Sequence, residues 1–270
     1  MNNNSDDMEA RYIAMIENNV NVSKTSDLKE FFILVAGIIV LSIFIFMCAD
    51  FIAGVWIDHM PDKTQIKIEN IMSYGAEDFQ LSAPSKPFAS QLEFLNRQKL
   101  KIISFDKKLQ GKSRFDIKVY PSKDLNAFVV PNGTIFFTAG MLDEIKDEQM
   151  LTFVLAHEMA HYAHRDHLKG SGRQIIAGVI LSVLTAGQNN SLSKLVENVS
   201  VFNSLTYSKK QEKNADLFAN SVVIKLYGTN NAAVKFMQLI DEKQNIPQYM
   251  HYFSTHPAPS ERIYLLKHNR

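Results

Sequence analysis

The densest concentration of metal-binding chemistry in this chain is HEMAHYAHRDH, His157 to His167, which holds four of its eight histidines. Residues four apart on a helix lie one above the other on the same face. His157 and His161 can therefore aim two imidazoles at one metal ion. Glu158 sits about 100° round the helix axis from His157. From there it can reach a water on that ion without ligating it. Two imidazoles and a neighbouring carboxylate are what a hydrolytic zinc site needs. Zinc lowers the pKa of a bound water toward about 7, and the carboxylate takes the proton. The water then attacks a carbonyl, and the protonated acid delivers its proton to the leaving amine.

A catalytic zinc takes a third protein ligand and keeps one position open. The segment KKQEKNADLFAN, Lys209 to Asn220, offers Glu212 and Asp216 four residues apart. Glu212 can complete a His-His-Glu set. Asp216, one turn on, can hydrogen-bond the far nitrogen of a ligating imidazole and fix its tautomer. Ala160 and Ala215 are small enough to let the two helices approach closely. Spacing alone leaves a second reading of this stretch, an ordinary charged face with Lys209, Lys210 and Lys213. His164 and His167 read as surface groups or as support behind the ligands, because a fourth protein ligand closes a catalytic site.

HEMAH, then ExxAD as Glu212 to Asp216, then Thr255-His256-Pro257 followed by Arg262-Ile263, resembles the membrane-associated zinc peptidases of the HtpX and CAAX prenyl protease type. These form family forty-eight of the metallopeptidases. NAFVVPNGTIFFTAGML, Asn126 to Leu142, resembles the stretch that precedes HExxH in that family, and the likeness covers about residues 90–265. It implies a gluzincin endopeptidase with one Zn2+ per chain, ligands His157, His161 and Glu212, and catalytic base Glu158. Many relatives carry a histidine or aspartate five residues after the second ligand; here that residue is Asp166. His256 is a candidate to approach the zinc and stabilise the oxyanion. Arg262 is a candidate for the same task or for a structural ion pair, and Tyr207 is a further candidate. A run between the two ligand helices, Ile175 to Gly187, reads as a lid, a buried helix or a membrane-contacting element.

The elements that must hold these groups can be read from periodicity. Gln91 to Leu109 reads as an amphipathic helix and Phe115 to Pro121 as a strand. Ala127 to Gly140 reads as two strands joined at Pro131-Asn132-Gly133. An extended peptide substrate can add to the free edge of such a hairpin, at Ala127, Phe128, Val129 and Val130. Asp147 to about His167 is helical, with Asp147 and Glu148 where a helix start favours acids. Another long helix lies within Val201 to Tyr227, and the remainder is helical around a loop from Pro247 to Pro259. The fold class expected is α+β, a mainly helical zincin-like (gluzincin) domain with a small β-sheet or hairpin, preceded by one transmembrane helix.

That last element comes from composition. FFILVAGIIVLSIFIFMCA, residues 31–49, contains no charge, and the apolar run resumes after Asp50. A helix of this length matches a bilayer core about 30 Å thick, and Trp56 suits its interface. Thirty polar residues precede the run, which argues for a signal-anchor over a cleaved signal peptide. The organisation expected is a disordered polar segment at 1–30, a membrane helix at 31–57, a juxtamembrane linker at 58–87 and a peptidase domain at 88–270. Lys24 and Lys29 on one side and Lys63 and Lys67 on the other tie the charge bias; an extracytoplasmic catalytic domain is the side favoured. The formal charge of +1 over 270 residues gives no electrostatic case for nucleic acid. A single cysteine, Cys48, excludes an intrachain disulfide. One span cannot enclose a membrane chamber, which argues against prenyl-protein processing. The partners expected are protein or peptide substrates and the lipid bilayer, in a membrane or envelope quality-control role. The competing reading is a membrane-tethered, non-enzymatic scaffold stabilised by zinc, and Glu158 discriminates, since a structural site has no use for a base.

Overall fold

The computed structural model describes residues 3–17, 27–73, 86–110, 115–169, 207–243, 245–247, 250, 252, 255–257 and 259–268. Two compact units divide between Ala49 and Asp50, inside one long helix. The first contains α1 (Asn3–Glu17) and most of α2 (Asp27–His59). α1 forms from good helix formers around Met8 to Arg11, helped by an i,i+4 pair of Asp7 and Arg11 at 3.3 Å. α2 is the one helix among the described residues that is long and apolar enough to cross a membrane, and its side chains there are exposed rather than packed.

The second unit begins with the end of α2 and α3 (Asp62–Ser73). α3 replaces the first half of the expected linker. Pro61 starts this helix: its carbonyl accepts from the N–H groups of Thr64 and Gln65 at 2.9 and 3.0 Å. After a 3₁₀ turn at Lys86–Phe88 comes α4 (Ala89–Ile103), which buries Phe94, Leu95 and Ile102. It stops short of Leu109, which is itself buried beyond the helix end.

Three strands follow, β1 (Asp116–Tyr120), β2 (Ala127–Val129) and β3 (Thr134–Thr138), in the order β1-β3-β2. β2 and β3 form the expected hairpin, with Phe128 opposite Phe136. Gly133, at φ 85°, supplies the turn, and its N–H donates to Val130 O at 2.9 Å. β1 runs parallel to β3, with Lys118 opposite Phe136. Both faces of β3 are covered: Ile135 and Phe137 enter the main core, while Phe136 joins Phe128, Val130 and Tyr207 on the other side.

α5 (Ala139–Glu144) is capped by the Thr138 hydroxyl, which accepts from Met141 N. α6 (Glu148–Ala163) carries HEMAH. Asp147 caps it through Gln149 N and Met150 N, and every residue from Leu151 to Ala163 is buried. α6 packs on α4, on both strands of the hairpin and on two later helices. A helix enclosed on all sides is hydrophobic all round. α7 (Lys209–Tyr227) opens with a capping box of Ser208 and Gln211 and closes on Gly228 at φ 75°. α8 (Asn231–Glu242) and α9 (Pro259–His268) complete the order. The described fold is thus mainly helical around a small mixed sheet, as expected. The run Ile175 to Gly187 lies outside the described residues.

Candidate metal centre

α6 and α7 make the most extensive helix–helix contact among the described residues, with Ala160 and Ala215 buried where small residues are expected. That packing brings Glu212 against the imidazoles. His157 Nε2 and His161 Nε2 lie 3.0 Å apart. Glu212 Oε1 is 3.3 Å from His161 Nε2, and its Oε2 is 3.5 Å from His157 Nε2. A tetrahedral ion with ligand bonds of about 2.0–2.1 Å places its donors about 3.3 Å apart. The observed spacings fit that demand, so these residues fit a metal. His256 also enters the donor set, its Nδ1 3.3 Å from His157 Nε2 and 2.9 Å from Glu212 Oε1. One donor atom from each of the four residues falls within 4.8 Å of all the others, and all four residues are buried.

Both ligand imidazoles are held from behind. His157 Nδ1 lies 3.1 Å from Asp216 Oδ1, and His161 Nδ1 lies 2.9 Å from Asp166 Oδ2. A carboxylate on Nδ1 fixes the tautomer and leaves Nε2 free to ligate. Asp216 is placed where the one-turn spacing from Glu212 predicts. The role of Asp166 was not legible from spacing, because the chain turns back after α6 to aim it at His161. Arg262 is buried and grips Asp216 with two hydrogen bonds, Nε to Oδ2 at 2.7 Å and Nη2 to Oδ1 at 2.8 Å. Its Nη1 is 2.7 Å from Glu212 Oε2. Of the two roles weighed for Arg262, the geometry is that of an ion pair.

Glu158 is buried beside the donors. Its Oε2 accepts from Val129 N at 3.1 Å, and its Oε1 is 3.6 Å from His256 Nε2. Val129 lies on the edge strand β2, and Ala127 to Val130 are all buried. Tyr207 stacks on the His161 ring at 3.7 Å between centroids and 8° between planes. Its hydroxyl has no hydrogen-bond partner among the described residues. His167 is not at the donors; it faces Glu69 at 3.1 Å. His164, also outside the donor set, caps the end of α6.

Burial and charge tune these groups in opposite directions. Burial lowers the His157 pKa to about 4, with Asp216 only partly opposing it. Burial also acts to lower His161, but Asp166, Glu212 and Glu158 outweigh it and raise the pKa to about 10. Burial would raise Glu212, yet His256, Arg262 and His161 hold it well below the usual carboxylate value. Glu158 is raised, chiefly by burial, against the pull of His256 and His161. Burial raises the Tyr207 phenol well above its ordinary value, so it stays a proton donor.

Two helical imidazoles one turn apart, a carboxylate from a second helix and a buried glutamate next to the first imidazole define a metallohydrolase centre. The family comparison agrees: residues 94–270 match peptidase family M48, and the chain belongs to that family. The mitochondrial metalloendopeptidase OMA1 of Danio rerio is 29% identical over 160 residues, covering 54% of this chain and 34% of its own. The human OMA1 is 28% identical over 178 residues, 60% of this chain and 34% of that one. The metalloprotease LoiP of Escherichia coli is 30% identical over 159 residues, 54% of this chain and 58% of that one. The chain thus spans only about a third of the OMA1 relatives' length. These comparisons support the resemblance at the level of the family and do not choose the HtpX or prenyl-protease branch.

Proposed function

We propose that this protein is a membrane-anchored zinc endopeptidase that cleaves protein or peptide substrates in membrane protein quality control. The observation that carries it is the convergence of His157 Nε2, His161 Nε2 and Glu212 Oε1 beside the buried Glu158. Two nitrogens and a carboxylate oxygen are a donor set suited to Zn2+, and one ion per chain fits the single cluster among the described residues. Zinc bound there would act as a Lewis acid, polarising a substrate carbonyl and making water acidic enough to attack near neutral pH.

The chain's own groups supply the rest. Glu158 accepts the proton of the attacking water and hands it to the leaving amine. Its raised pKa suits that exchange better than an ordinary carboxylate's. Tyr207 and His256, both near the donors, are able to donate to the developing oxyanion. Arg262 and Asp216 keep Glu212 and His157 in place. The outer strand β2 is the backbone against which an extended peptide aligns, at Ala127 to Val130. α2 crosses the bilayer, with the catalytic unit on the extracytoplasmic side. The buried base speaks against a scaffold that keeps zinc only for stability.

The test pairs the purified full chain with Glu158→Gln, measuring zinc content and cleavage of unfolded casein. Zinc in both, with chelator-sensitive cleavage by the wild type alone, supports the reading. Absence of stoichiometric zinc from the wild type sinks it.

A further inference from the structure

Asp166, the carboxylate behind His161, sits between residues that all reach in another direction. Arg165 adopts φ 58°, the left-handed region that a non-glycine residue occupies only under constraint. Its Nη1 donates to the carbonyls of Ile57, Asp58 and Met60 at 2.6, 3.3 and 2.9 Å. Those are the carbonyls at the C-terminal end of α2, which a helix leaves without internal partners. Its Nη2 donates to Asp62 Oδ1 at 3.0 Å, at the start of α3. Lys169 adds a bond to Asp58 Oδ1 at 2.7 Å, and Leu168 packs on Ile57 and Met60.

His167, on the other side of Asp166, turns to α3. Its Nε2 lies 3.1 Å from Glu69 Oε1. The other oxygen of Glu69 accepts from Tyr162 OH at 3.0 Å, and the Tyr162 ring stacks on His167 at 5.0 Å and 3°. Glu69 and His167 are both fully buried. A buried carboxylate on a juxtamembrane helix, tied to the two ends of one turn, needs a reason beyond covering apolar surface.

We propose that Arg165 and His167 are positioning residues that couple the end of α2 and the helix α3 to the metal ligand His161, through Asp166. The contact runs from the α2 carbonyls to Arg165, from Glu69 to His167, and from the turn they share through Asp166 Oδ2 to His161 Nδ1 at 2.9 Å. The end of the membrane helix is therefore part of the support of the metal site. Loosening it lets Asp166 drift and the His161 ring rotate, without touching the substrate strand. This inference rests on the metallopeptidase reading and adds a place where the anchor acts on the site.

The experiment uses the full chain in detergent micelles, loaded with Zn2+. It follows zinc release to a chromogenic chelator, and kcat and KM on an unfolded fluorogenic casein peptide. Arg165→Asn is chosen because asparagine tolerates the left-handed conformation but cannot reach the carbonyls. Glu69→Ala cuts the second link, and Glu69→Gln keeps the acceptor oxygen that faces His167 while its amide N–H can donate to the Tyr162 oxygen in place of accepting from it. Asn230→Ala, which removes a buried bond to Leu266 O at 2.7 Å away from the centre, serves as a destabilised control. Arg165→Asn and Glu69→Ala are expected to speed zinc release about tenfold or more and to lower kcat with KM held within about twofold. Glu69→Gln and Asn230→Ala should release zinc near the wild-type rate. In an Asp166→Asn background, Arg165→Asn should add nothing further, because both act on one path. Unmoved zinc release in Arg165→Asn and Glu69→Ala, fully additive effects with Asp166→Asn, or equal release from Asn230→Ala would each overturn the coupling. A wild type that holds no zinc, or a His161→Ala variant that holds it as tightly, instead sinks the metallopeptidase reading, and the coupling with it.

Discussion

The backbone N–H of Val129 donates to Oε2 of Glu158 at 3.1 Å, joining the edge strand β2 to the proposed base. The bond fixes where the carboxylate sits relative to the strand along which substrate is proposed to lie. Glu158→Asp shortens the side chain by one methylene and withdraws it from that N–H. The expected result is a loss of about 10²-fold in kcat, with zinc content and KM little changed, since positioned proton transfer contributes about 10²–10⁴-fold. Steady-state kinetics with metal analysis checks it; a variant that also loses its metal would mean Glu158 holds the fold of the site rather than the proton.

Arg262 is a guanidinium buried among the carboxylates, paired to both Asp216 and Glu212. Removing one partner from a buried ion pair leaves uncompensated charge and costs about 3–5 kcal/mol. Arg262→Met, which keeps apolar bulk, is expected to lower unfolding stability by that order in the metal-free protein. Added zinc should restore part of it by neutralising Glu212. Denaturant titrations with and without zinc measure both effects, and a variant as stable as wild type without metal would remove the ion pair from the account of the site.

Much of this centre is legible in the residues because its parts are local. HEMAH and the Glu212–Asp216 spacing need only the helix repeat to place two groups on one face. The hairpin announces itself through Pro131-Asn132-Gly133 between alternating residues. The parallel pairing of β1 with β3 is not announced, since nothing in Phe115 to Pro121 states its neighbour. α3 was hidden by Pro61, which reads as a break in composition and in the structure begins a helix. The supports that depend on a turn in the chain are equally hidden: Asp166 behind His161, and Glu69 against His167 across 98 residues of sequence. Neither has a spacing that the periodicity of one helix could reveal.

Gly140 shows how tightly the sheet is joined to α5. A Cβ built there would lie 2.1 Å from Lys123 O and 2.7 Å from Asp124 O, both backbone atoms that no rotamer change can move. Its own N–H donates to Ser122 O at 2.9 Å, so the two segments are locked at that distance. Gly140→Ala is expected to cost about 1–3 kcal/mol of stability, the usual range for forcing atoms into a packed interior. Chemical denaturation checks the loss. Zinc affinity should stay near wild type, because Lys123, Asp124 and Gly140 are not among the residues that converge as donors; an equal loss of zinc would contradict that separation.

The two ligand imidazoles should answer metal differently. His157 is already neutral above about pH 4 and gives up no proton at pH 7. His161, raised to about 10 in the metal-free protein, must lose one before Nε2 can ligate. Its folded pKa exceeds the ordinary 6.5, so the stability it lends the metal-free fold is fully present below pH 6.5. That contribution is lost as pH rises through about 10. Zinc uptake at pH 7 is therefore expected to release about one proton, and affinity should rise about tenfold per pH unit between pH 7 and 9. Calorimetric titrations in two buffers of different ionisation enthalpy count the proton directly. Thermal melts over the same range should show the metal-free protein weakening with rising pH while the zinc-loaded protein gains on it. A pH-independent affinity with no proton released would mean that His161 is neutral before metal arrives, and that Asp166 orients its ring without charging it.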